Sequence, residues 1–97
     1  MIVLVSQDGF VNRTPLEVHR THRGGPGKSL TTRWAHVLWE PEDGKSRDLL
    51  MLTNLGGIFR VPLSEIRPTG GLARGVRVLR LEDYESIQDA VIVEVPA

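Results

Sequence analysis

The sequence predicts an all-β domain built from blade-like antiparallel repeats, two per chain. Apolar residues occur in short runs with almost no sustained helical period, and Gly, Pro, Asn and Asp punctuate the gaps between them. Two of the resulting hairpins superimpose at an offset of 47 residues, with Gly9 on Gly56, Arg13 on Arg60, Pro15-Leu16 on Pro62-Leu63 and Arg20 on Arg67. One further residue of offset brings Gly27 onto Gly75. A period of this size with several short strands per unit is the pattern of a radial, blade-like repeat. Two unrelated hairpins in a small barrel is the competing arrangement. The 97 residues are expected to form one domain, 1–97, with repeat one at about 1–47 and repeat two at about 48–97.

The elements follow in chain order. Ile2-Val3-Leu4-Val5-Ser6 is short and rich in β-branched residues, Gln7-Asp8-Gly9 is a hairpin turn, and Phe10 to Thr14 returns until Pro15 removes a ladder donor. Trp34 to Trp39 fits either period and is read as a strand because the turn-rich Glu40-Pro-Glu-Asp-Gly-Lys-Ser stretch follows at once. A second hairpin runs from Leu49-Thr53 through Asn54-Leu55-Gly56-Gly57 to Ile58-Val61, before Pro62. Val76-Leu81 and Ala90-Val95 supply two further strands on either side of the acidic turn at Glu82 to Ser86. Trp34 and Trp39 are expected to fill space between blades.

Composition limits the possible functions. There is no cysteine, so no disulfide staple exists, and Met1-Ile-Val-Leu-Val is too short for a signal-peptide core or a membrane span. A soluble cytoplasmic chain without membrane attachment is expected. Net charge is zero, with 12 Lys and Arg against 12 Asp and Glu, but the signs are segregated. Arg13, Arg20, Arg23, Lys28 and Arg33 face only Asp8 and Glu17 in the first third. Arg60, Arg67, Arg74, Arg77 and Arg80 face Glu65 alone, whereas Glu82, Asp83, Glu85, Asp89 and Glu94 have no basic neighbour after Arg80. Segregation of this kind permits a positive stripe; a mixed solvated surface is its ordinary alternative.

Arg23 to Thr32, RGGPGKSLTT, resembles a phosphate cradle. It is not a nucleotide P-loop, because His22 stands where that motif requires its first glycine and the chain is too small for a parallel sheet covered on both faces. His19-x-x-His22 has metal-like spacing but no cysteine and a basic setting, and Ser29, Ser46, Ser64 and Ser86 have no motif-placed His and Asp partners. Neither a metal, a cofactor nor an active site is implied.

LVSQDGFVNRTPLEV followed by HRGGPG, and LLMLTNLGGIFRVPLSEI followed by GGLARGVRVLRL, resemble two successive repeats of the carboxy-terminal domain of bacterial type IIA topoisomerase A subunits, those of DNA gyrase and topoisomerase IV. The likeness covers nearly the whole chain. It implies four-stranded blades of a β-pinwheel, a ring whose basic rim wraps DNA beside a separate catalytic core. The family's marker is a loop of the form Q-R-R-G-G-K-G. Thr21 to Gly27 is similar to it, matching at Arg23, Gly24, Gly25 and Gly27 and departing at Thr21, His22 and Pro26.

The resemblance implies a non-catalytic accessory module that binds duplex DNA without sequence preference. Glycine loops would bring main-chain N–H groups to backbone phosphates, and arginines would supply charge. The candidate DNA-binding residues are Arg13, Arg20, Arg23, Gly24, Gly25, Gly27, Lys28, Arg60, Arg67, Arg74, Gly75 and Arg77. The alternative is a protein-interaction module on a pinwheel-derived fold, whose candidate partner is a topoisomerase. Two blades cannot close a ring, so either further blades or self-association, for example three chains in a six-blade ring, is expected. Ala90-Val95 is the expected seam.

Overall fold

The computed structural model describes residues 1–15, 34–68 and 75–96. Among them the chain forms β1 (Ile2–Val5), β2 (Phe10–Thr14), β3 (His36–Trp39), β4 (Arg47–Thr53), β5 (Ile58–Pro62), a single 3-10 turn (Leu63–Glu65), β6 (Val76–Arg77) and β7 (Ile87–Glu94). They assemble into sheet I, in the order β3-β1-β2-β6, and sheet II, in the order β5-β4-β7. Every pairing is antiparallel. No helix among the described residues is long and apolar enough to cross a membrane.

The two hairpins use the same local chemistry. In the first, the Ser6 N–H donates to Phe10 O (2.9 Å) and Ser6 Oγ accepts the Phe10 N–H (3.0 Å). In the second, the Thr53 N–H donates to Gly57 O (2.9 Å) and Thr53 Oγ1 accepts the Gly57 N–H (3.1 Å). In both turns a hydroxyl residue is bonded to the residue four positions on, which closes the turn through its side chain as well as its backbone. Gly9 and Gly56 sit at φ +95° and +82°, in the left-handed region that side chains rarely adopt.

The sheets pack face to face. Val3, Val5 and Val11 of sheet I meet Leu49, Met51, Ile87 and Ala90 of sheet II, with Leu63 and Ile66 beneath them, and all are buried. Strand periodicity sends Ile2, Leu4 and Phe10 to the opposite side of sheet I, where they cluster with Trp34. Burial on both faces explains why β1 is a continuous apolar run rather than an alternating one. Trp34 is thus buried as expected, while Trp39 is 55% exposed.

The last two strands differ from expectation in extent. The strand expected over Val76-Leu81 is reduced to Val76-Arg77, which pairs with Val11 and Phe10 of β2. Past that point the chain runs over the Gly9 turn, where the Val78 N–H donates to Gly9 O (3.0 Å), and β2 offers nothing further to pair with. The final strand is longer than expected, running from Ile87 to Glu94 along β4 with a register irregularity at Leu52/Thr53.

Candidate nucleic-acid interface

Of the residues singled out for DNA, Arg20, Arg23, Gly24, Gly25, Gly27, Lys28 and Arg74 lie outside the described residues. Arg13, Arg60, Arg67, Gly75 and Arg77 lie within them and occupy different environments.

Arg13 is the most enclosed. Its Nε and Nη2 donate to the two carboxylate oxygens of Glu40 (2.8 and 2.7 Å), and its Nη1 donates to Ile66 O (3.1 Å). Both side chains of the pair are largely buried, at 17% and 13% exposure. The Glu40 carboxylate, hydrogen-bonded and close in charge, holds the guanidinium pKa above its ordinary value. A bidentate Arg–carboxylate pair of this kind is a tie between β2, the end of β3 and the segment after β5. It leaves Arg13 few donors for a phosphate. Glu40, read from the sequence as the start of a turn-rich stretch, is the partner; the pair is separated by 27 positions, so no local pattern signals it.

Arg60, the repeat counterpart of Arg13, also meets a carboxylate, with Nε donating to Asp48 Oδ2 (2.5 Å) across the β4–β5 pair. It is far more open, with its side chain 49% exposed. Arg67 is exposed just after the 3-10 turn, and Arg77 and Arg80 are exposed at the end of β6 and beyond it. None of these three takes part in an ion pair among the described residues. The Arg77 guanidinium lies 4.9 Å from the Phe10 ring centroid, which orients the cation without neutralising it.

Gly75 opens β6 at φ +88°, and a Cβ there would lie 2.5 Å from Val11 O. Only glycine lets the two backbones come this close, so the residue has a structural duty at the point where the loop joins sheet I. Arg77 and Arg80 share a cleft with Asp8, Glu82, Asp83 and Glu85. The positive groups at this end therefore sit beside negative ones. Arg67, Arg77 and Arg80, which take no ion pair among the described residues, can attract a polyanion.

Antiparallel sheets packed face to face, each founded on the same capped hairpin and one completed by a strand from the other half of the chain, are blades of a β-pinwheel. Residues 47–94 match the family described as DNA gyrase C-terminal domain, beta-propeller. The A subunits of DNA gyrase from Staphylococcus aureus strain MRSA252 and from strain NCTC 8325 / PS 47 are each 31% identical over 97 aligned residues, covering 96% of this chain. The chain spans only 11% of the length of these relatives. A solved structure of the DNA gyrase A C-terminal domain, 16% identical, superposes with a TM-score of 0.67 over 92% of this chain and 32% of that one, a likeness of fold. The chain belongs to the gyrase A carboxy-terminal β-propeller family.

Proposed function

We propose that this chain is an accessory module that binds duplex DNA through its backbone, without reading sequence and without a catalytic step of its own. Family membership is the observation that carries the reading. Arg67 and Arg77, exposed and without an ion pair among the described residues, support it, and the glycine-rich loop at Arg23 to Lys28 and its counterpart at Arg74 and Gly75 would supply the rest of the contact surface. In this reading, residues about 1–47 and 48–97 are the two repeats of one domain, the compartment is the cytoplasm, and a topoisomerase is the protein partner. Arg13 and Arg60 contribute mainly to structure, because carboxylates already engage them.

Fluorescence anisotropy of a labelled duplex at several salt concentrations tests this. Affinity is expected to fall with salt at a log–log slope of about −0.9 per phosphate neutralised. Joint replacement of Arg23, Lys28, Arg74 and Arg77 by alanine should weaken binding and flatten that slope. Binding that ignores salt, or survives the four replacements unchanged, would sink the site assignment. The engagement of Arg13 and Arg60 by carboxylates favours a second reading as a protein-interaction module, which retention of a topoisomerase following nuclease treatment would support.

A further inference from the structure

We propose that Phe10 is a positioning residue whose ring holds the Arg77 guanidinium on the outer face of sheet I, away from neighbouring carboxylates and ready for a backbone phosphate. The phosphate rests on the proposed function above; the contact between ring and cation does not.

Strand pairing sets the contact. Phe10 and Arg77 are direct partners across β2 and β6, so their side chains leave the sheet on the same face. That face points away from sheet II, because Phe10 clusters with Ile2, Leu4 and Trp34 while its neighbour Val11 enters the core between the sheets. The register is fixed at both ends of the two-residue strand. Gly75 lets β6 begin against Val11, where a Cβ would lie 2.5 Å from Val11 O, and beyond Arg77 the Val78 N–H donates to Gly9 O (3.0 Å).

Burial makes the ring a firm support. Phe10 is 6% exposed and its N–H is bonded to Ser6 Oγ, whereas Arg77 is exposed. At 4.9 Å from the ring centroid, the guanidinium is within the range over which an aromatic face attracts a cation.

The ring has competitors. Arg77 lines a cleft with Asp8, Glu82, Asp83 and Glu85, yet it takes no ion pair among the described residues. A surface ion pair gains little against water, and a cation over an aromatic ring gains as much or more, so the ring can hold Arg77 against these acids. The difference matters for binding. A carboxylate would take the N–H donors that a phosphate needs, whereas the ring leaves the charge unneutralised and those donors without an ionised acceptor.

Two measurements on the whole chain test the proposal. Without DNA, NMR should show the Arg77 δ protons moved upfield by the ring current, and Phe10→Leu should abolish that shift. With a labelled duplex, Arg77→Ala and Phe10→Leu should each lower the log–log salt slope by about 0.9, the value of one phosphate, and the double variant should lose no more than either alone. When Glu82→Gln, Asp83→Asn and Glu85→Gln are also present, Phe10→Leu should cost less affinity than it does in the wild type. Mere loss of packing would not be relieved in this way. Arg80, which lies beyond β6, is the control, and Arg80→Ala should lower the slope equally with and without the ring. Should Phe10→Leu unfold, pentafluorophenylalanine at position 10 keeps the ring's shape and reverses the charge of its face, and the same losses are expected. Arg77 signals without the upfield shift, or a wild-type slope in Phe10→Leu, overturn the proposal. A wild-type chain that ignores the duplex overturns the proposed function and the phosphate role with it, while the ring-current shift reports on the contact separately.

Discussion

Sheets I and II start from one hairpin design and end in different environments. In sheet I, both faces of β1 are buried and β2 is flanked by a borrowed strand. In sheet II Leu49, Met51 and Thr53 of β4 are buried while Leu52 on its other face is exposed, and β5 is an edge among the described residues. Equivalent residues therefore have different duties, and position in the assembly, more than residue type, decides which side chains hold the fold and which remain available.

The sharpest break of this comparison is a charge on equivalent positions. Val5→Asp should cost about 4 kcal/mol or more by burying an unpaired carboxylate, whereas Leu52→Asp should cost about 1 or less, as measured by urea denaturation. Next come the arginines. Arg13→Ala should cost about 3 kcal/mol by stranding the largely buried Glu40, and Arg60→Ala about 1 because its pair is half open to water. Equal losses would mean that the two pairs do the same work. The glycines follow. Gly56→Ala should cost about 1 kcal/mol from its positive φ alone, and Gly9→Ala more, because the added methyl also meets Leu79 O.

The smallest effect lies on the surface. Arg47 hydrogen-bonds Asp43 through both Nη nitrogens (2.7 and 2.8 Å), and with help from the Lys45 N–H it holds the Asp43 carboxyl well below the usual carboxylate range. A depressed carboxyl contributes stability that is present above the unfolded-state pKa and is lost as the pH falls through the folded one. Salt screening at this exposed site keeps the contribution small. The acid limb of stability should shift slightly in Asp43→Asn, with no change at neutral pH beyond the lost ion pair.

Much of this was legible beforehand, for a local reason. Gln7-Asp8-Gly9 and Asn54-Leu55-Gly56-Gly57 mark turns because a few adjacent residues decide their dihedrals, and both hairpins form where the turns place them. The offset that relates Gly9 to Gly56 and Arg13 to Arg60 likewise matches the pairing of the strands. The extent of the strand at Val76 was not legible, because β2 sets it from more than sixty positions away. The site was legible only as a set of cations. Whether a guanidinium is free or engaged depends on carboxylates that the fold brings near, and Glu40 reaches Arg13 only after β3 has paired with β1.

The sequence by itself determined the hairpins, their shared register and the family, since turn chemistry and period-two patterning act over a few residues. The tertiary structure alone decided that β6 completes sheet I, that Arg13 becomes a tie while Arg77 takes no ion pair among the described residues, and that β5 has no second partner strand among them. Each of these depends on which distant strands come together, and that choice is made by burial of apolar faces across the whole chain.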